Sequence, residues 1–192
     1  MPDSTQPGTR GRQHHAFRLF LSTALVATLA VAAEQHVVEG FRVVSGSMEP
    51  TLQVGDWLLG YSLTFARGPV RRGDLVTFYP PRGRPSPIPL VKRVVGLPGE
   101  TVAVRRGVLE VDGAPLAEPY LHGAPIPYWM ARVEVPPDSV YVLGDNRARS
   151  EDSTVFGPVE VRRLRDRVWV RLGPWDRRCA FTRPSLGLAR CG

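Results

Sequence analysis

The stretch "LVKRVVGLPGETVAVRRGVLEVDG", residues 90–113, decides the fold class. It consists of short runs rich in valine and leucine, punctuated by Gly, Pro and Asp-Gly, with no helical periodicity sustained beyond about two turns. The same pattern extends outward in both directions. "FRVV", "DWLLGYSL" and "DLVTFYP" precede it, and "SVYVLGD" and "RDRVWVRL" follow it. The 19 glycines and 19 prolines fall mostly between these runs, where turns need them. The reading from residue 41 onward is therefore a mainly β, antiparallel domain. "PPRGRPSPIP", residues 80–89, reads as an exposed hairpin loop. No internal repeat is present.

Within that stretch stands Lys92, the one lysine in a chain whose 25 basic residues are otherwise arginine. In an extended strand its side chain shares a face with Leu90 and Val94, while Arg93 points the other way. Burial among apolar groups disfavours the ammonium and lowers a lysine pKa toward the range of a proton acceptor. Arginine cannot lose its proton. A chain that keeps lysine at this one position is using the property arginine lacks, unless the residue is a chance survivor on a strand edge.

Two further blocks hold reactive or polar groups. "VVSGSMEPTL", residues 43–52, places two serines around a glycine at the end of a strand. A small exposed hydroxyl at such a turn suits a nucleophile, because the substrate backbone can approach and nearby amides can face an oxyanion; it also suits an ordinary turn. "YVLGDNRARSEDSTVFGPV", residues 141–159, concentrates Asp145, Asn146, Arg147, Ser150, Asp152 and Ser153 after a hydrophobic strand. That density fits either a buried hydrogen-bond network or a polar surface loop. Of the histidines, His14, His15 and His36 flank the apolar N-terminal segment, which leaves His122 as the alternative base to Lys92. Neither a glycosidase pair of acids nor a phosphate loop is evident.

The N-terminal 18 residues are polar, with Arg10, Arg12 and Arg18, and are followed by apolar Leu19 to Ala33. As a helix, 15 residues rise about 22 Å against a hydrocarbon core of ~30 Å; counting Ala16 and Phe17, with Arg18 snorkelling, brings the span to about 27 Å. The segment fits a transmembrane anchor and equally a cleavable secretory signal, with a buried core helix as a third alternative. The positive-inside rule leaves the N-terminus cytoplasmic and all that follows Glu34 outside. The formal charge of +7 is spread over scattered arginines, which reads as a solvated surface rather than a nucleic-acid site. Cys179 and Cys191 lack metal-ligand spacing, so no metal site is expected; in an exported domain they are either a disulfide or two free thiols.

Taken in order, "SGSMEPTL" (Ser45 to Leu52), "GDLVTFYP" (Gly73 to Pro80), "KRVVGLPGE" (Lys92 to Glu100) and "GDNRARSEDS" (Gly144 to Ser153) resemble the blocks of type I signal peptidases, the membrane-bound leader peptidases of bacteria. Together they cover most of residues 41 to 172. The resemblance implies an antiparallel β catalytic domain over 34–192, behind one transmembrane helix over 19–33 and a cytoplasmic segment over 1–18. It also implies a serine endopeptidase of the bacterial cell membrane that removes signal peptides from exported preproteins. By position, Ser47 matches the nucleophile and Lys92 the general base. Ser45 matches an oxyanion-hole hydroxyl, and Ser150 a residue that orients the lysine. Asp145, Arg147 and Asp152 match structural supports, and Phe41, Val43, Met48 and Val91 match the lining of shallow apolar pockets for small side chains. The expected partners are preprotein signal peptides and membrane lipid, without nucleic acid, metal or cofactor, and the expected state is a monomer.

Two departures stand out. Where the family commonly has arginine after Asp152-Ser153, this chain has Thr154, which leaves Arg147 to serve as the ionic partner of Asp152. The interval between the lysine block and the last block is about 45 residues, so the second β domain of larger members is expected to be missing or vestigial. Two rival readings share the motifs: a Ser-Lys peptidase dedicated to pilus processing in conjugation, and an exported β-domain binding module that has lost activity.

Overall fold

The computed structural model describes residues 20–23, 38–62, 69–80, 88–173, 179–183 and 188–191. Residues 1–37 and 38–192 are separate compact units. Of the apolar segment 19–33, only 20–23 are described, and they are helical; the anchor expectation otherwise lies outside the described residues, as do His14, His15 and His36 and most of the 80–89 loop. Among the described residues no helix is long and apolar enough to cross a membrane.

Among the described residues from 38 onward the fold is mainly β and its strands pair antiparallel, as its alternating runs and turns predict. Its larger sheet contains β1 (Val38–Arg42), β2 (Trp57–Ser62), β3 (Leu75–Phe78), β4 (Leu90–Gly96), β9 (Ser139–Leu143), β10 (Val159–Glu160), β11 (Leu164–Gly173), β12 (Cys179–Arg183) and β13 (Leu188–Cys191). The order is β1-β2-β11-β3-β4-β9-β10, with β12 on β11 and β13 on β12. In the hairpin of β12 and β13, Cys179 stands opposite Cys191 in register; their side chains, and with them the disulfide expectation, lie outside the described residues.

The second sheet is built from β5 (Thr101–Arg105), β6 (Val108–Val111), β7 (Ala114–Pro115) and β8 (Met130–Glu134), in the order β7-β6-β5-β8. It occupies the interval expected to hold little or no second β unit, and it has its own core of Val95, Val102, Val104, Leu109, Ile126, Val135, Tyr141 and Leu143. Tight turns make so short a unit possible. Arg106 and Gly107, and again Asp112 and Gly113, all have positive φ, the geometry that matches the twist of a two-residue hairpin.

Strand β4 lies at the centre of the unit and is buried on both faces. Val94 packs into the core of Val76, Phe78, Val140, Val142, Val159 and Leu164, and the adjacent Val95 packs into the core of the small sheet. A strand covered on both sides reads as a continuous apolar run, which is why "LVKRVVG" carries so little alternation. Its last residue must be glycine, because a Cβ on Gly96 would lie 2.6 Å from the Val102 side chain and 2.9 Å from that of Tyr141.

Candidate active site

Beyond β1 the chain turns through a 3₁₀ segment at Gly46–Met48. Met48 is buried with Leu52, Leu58, Leu75 and Val168 in a third core, and this pins the turn and leaves Ser47 at its edge. The amine of Lys92, on β4, donates to Ser47 Oγ at 2.6 Å; once the amine is neutral, the same contact runs with the hydroxyl as donor. Lys92 is 2% exposed. Burial lowers its pKa from the usual 10.5 to about 8, against the opposing pull of Asp152, Asp145 and Glu151. Ser45 Oγ lies 3.4 Å from Ser47 Oγ and is exposed. A hydroxyl held against a desolvated amine can be activated as a nucleophile.

A groove of about 350 Å³ runs up to this pair. Phe41, Val43, Met48 and Val91 all line it, together with Ile88, Leu90, Leu52 and Leu58. His122 ends the 3₁₀ turn Pro119–Leu121 with a φ of 51° and is exposed; it is absent from the hydrogen bonds made by Ser47, which leaves Lys92 as the basic group against that hydroxyl.

The polar block after β9 forms a loop that grips the serine turn. The Asn146 backbone N–H donates to the Ser47 carbonyl at 3.1 Å, and its side-chain amide donates to the Gly46 carbonyl at 3.0 Å. Asp145 is buried against Arg93, whose Nε and Nη2 donate to its two oxygens at 2.8 and 2.6 Å, and the Thr51 hydroxyl donates to the same carboxylate. Asp152 accepts from the Gly144 backbone N–H at 2.9 Å. It also caps α1 (Ser153–Phe156) by accepting from the Thr154 backbone N–H and hydroxyl at 3.1 and 2.8 Å.

Two sequence expectations are revised here, and one neighbouring residue is added. Arg147 does not pair with Asp152; its guanidinium donates to both oxygens of Glu118 and to the Gly144 carbonyl at 3.0 Å, while Thr154 satisfies Asp152 without a charge. Ser150 Oγ is buried but makes no hydrogen bond among the described residues, so the bond to the lysine implied by the resemblance is not formed. Arg93, which an alternating strand turns away from Lys92, does not reach solvent either: it is 1% exposed and is the main anchor of the loop. Sequence reasoning passed over Arg93, Thr51, Glu118 and Tyr120. Only Arg93 had a local signal, as a charge inside an otherwise apolar run.

Gly144 is the tightest point. A Cβ there would lie 2.1 Å from Ser150 Oγ and 2.5 Å from the Ser47 carbonyl oxygen, a backbone atom. Gly144→Ala is therefore expected to destabilise the fold by about 1–3 kcal/mol, the usual cost of overpacking, and thermal unfolding followed by circular dichroism checks it.

Comparisons with known proteins give the family of the chain. Residues 16–173 match the family described as signal peptidase, peptidase S26, and the chain belongs to that family of serine endopeptidases. It is 39% identical to a signal peptidase I of Leptolyngbya laminosa over 158 residues, covering 80% of this chain and 77% of that protein. It is 34% identical to a signal peptidase I of Bacillus caldolyticus, with 88% and 94% covered, and 36% identical to a probable signal peptidase I of Synechocystis, with 84% and 85% covered.

Proposed function

We propose that this chain is a membrane-anchored endopeptidase that cleaves N-terminal signal peptides from exported preproteins, with Ser47 as nucleophile and Lys92 as general base. The observation that carries the reading is the 2.6 Å contact between the Lys92 amine and Ser47 Oγ, with the amine buried and its pKa brought down to about 8. Neutral Lys92 takes the hydroxyl proton as Ser47 Oγ attacks the scissile carbonyl. The oxyanion is held by backbone N–H of the Gly46–Met48 turn, with the Ser45 hydroxyl beside it. The ammonium then protonates the departing amine, and the neutral amine activates the water that releases the signal peptide from the acyl-enzyme. The apolar groove favours small, uncharged side chains before the scissile bond.

In this reading residues 1–18 are cytoplasmic, 19–33 span the membrane and 34–192 work outside as a monomer in contact with lipid. Fourteen positions separate Ala33 from Ser47, at most about 48 Å when fully extended, which keeps the site near the membrane that holds its substrates. Ser47→Ala is expected to abolish cleavage of a preprotein by the detergent-extracted enzyme while leaving its circular dichroism unchanged. Retained cleavage in a folded Ser47→Ala protein overturns the assignment.

A further inference from the structure

The network around the 144–152 loop includes two residues with no role in the chemistry above, Glu118 and Tyr120. Both sit in the short segment between β7 and β8 that passes over the loop. Glu118 and Arg147 form an ion pair whose side chains are 7% and 5% exposed. The Tyr120 hydroxyl donates to the same carboxylate, and its ring lies beneath the Arg93 guanidinium, 3.8 Å from Cζ to the ring centre. Burial and the nearby carboxylate push the Tyr120 phenol far up, so it remains a donor at any working pH. The segment itself is fixed at both ends: Leu116 packs on the core of the small sheet, and Leu121 is buried.

We propose that Glu118 and Tyr120 are positioning residues for the peptidase site, forming a strap from the small sheet that holds the 144–152 loop against the Ser47 turn. The path is continuous. Glu118 fixes Arg147, Arg147 holds the Gly144 carbonyl, and Tyr120 backs the Arg93 fork that grips Asp145. Asn146, flanked by two of these anchored residues, donates to the carbonyls of Gly46 and Ser47. Glu118 also balances a buried cation that Asp152, already satisfied by Gly144 and Thr154, does not take up. An unpaired buried arginine would draw the loop toward another carboxylate or toward solvent. The strap thus supplies from the small sheet the ionic support that Thr154 cannot. Among the described residues, its side-chain hydrogen bonds, ion pair and ring contact go to Arg147 and Arg93, neither of which lines the apolar groove, so it acts on the placement of the nucleophile and not on peptide binding.

The proposal rests on the Ser47–Lys92 reading, and its test keeps the two apart. Steady-state cleavage of a preprotein is measured for the full-length wild type, Glu118→Gln, Tyr120→Phe, the double variant and Ser47→Ala, with melting curves to show that each is folded at the assay temperature. Glu118→Gln is expected to lower kcat about 10- to 100-fold, as sub-ångström to ångström misplacement of a reacting group does, with KM changed less than about threefold. Tyr120→Phe keeps the ring under Arg93 and loses only the bond to Glu118, so a smaller loss in kcat is expected. The double variant is expected to be no worse than Glu118→Gln, since both changes cut one path. Folded Glu118→Gln and Tyr120→Phe proteins with wild-type kcat, or with a raised KM alone, overturn the strap; should Glu118→Gln not fold, Tyr120→Phe decides on the same criterion. Cleavage that persists in Ser47→Ala overturns the underlying reading, and the strap's role in catalysis with it.

Discussion

Purified Lys92→Arg is expected to be folded and to cleave a preprotein about 10²- to 10⁴-fold more slowly than the wild type, the range lost with a general base. Lys92 is buried and its amine lies 2.6 Å from Ser47 Oγ. Arginine retains the positive charge, cannot shed its proton and presents a larger cation to the same space. If charge alone mattered at this position, the substitution would be nearly silent in a chain that uses arginine everywhere else. A folded Lys92→Arg protein with most of its activity therefore ends the general-base mechanism.

The pH dependence gives a second arm to the same prediction. With a pKa of about 8 in the folded protein, the wild-type rate is expected to rise tenfold per pH unit below that value and to level off above it, because only the neutral amine accepts the proton. Stability follows the same sign. The unfolded chain holds the lysine proton more tightly than the folded one, so the cost of burying the ammonium is fully present below about pH 8 and is relieved as the pH rises from there toward 10.5. Lys92→Met is accordingly expected to be inactive yet to melt higher than the wild type at pH 7. A lower melting temperature would mean that the lysine contributes to the fold rather than straining it.

The neighbouring residue has the opposite requirement. Arg93→Met is expected to destabilise the protein by about 3–5 kcal/mol, the cost of leaving one partner of a buried ion pair unpaired, which in a chain of this size lowers Tm by roughly 6–20 °C. Arg93 uses two nitrogens on the two oxygens of Asp145, a third on the Gly73 carbonyl at 3.1 Å, and its flat face on Tyr120. Arg93→Lys keeps the charge but not the planar fork, so its Tm is expected to fall between those of the wild type and Arg93→Met. Thermal melts of the three proteins decide it. A stability of Arg93→Met within 1 kcal/mol of wild type would mean that Asp145 finds another partner and that the loop does not depend on this pair. In the proposed mechanism Lys92 and Arg93 divide the two properties of a basic side chain between them: one has to lose its proton, and the other has to keep it.

Much of this was legible along the chain. The Val- and Leu-rich runs broken by Gly, Pro and Asp-Gly specify antiparallel strands, because side-chain alternation and turn chemistry are local properties that neighbouring residues decide. The lone lysine in an apolar run was equally legible, since its identity and its apolar neighbours are local features of the chain. The four blocks in order carried the family, and the residues they single out at Ser45, Ser47, Lys92, Asp145, Arg147, Ser150 and Asp152 come together in the structure around one turn.

What the sequence by itself could not reveal are the partnerships. Arg93 meets Asp145 because β4 pairs with β9, and Arg147 meets Glu118 because the segment before β8 crosses the loop after β9. Neither pairing has a periodicity or motif spacing, and Arg147 looked suited to Asp152 until Thr154 was seen to satisfy that carboxylate. The order β2-β11-β3, which inserts a late strand between two early ones, is equally invisible to local pattern. Alternation and turns are written in residues one to four apart, so the chain alone determined its strands and its family and pointed to Ser47 and Lys92 as a candidate pair. Ion pairs between residues 29 and 52 positions apart depend on which strands become neighbours and how much water they exclude, and only the tertiary structure decided those.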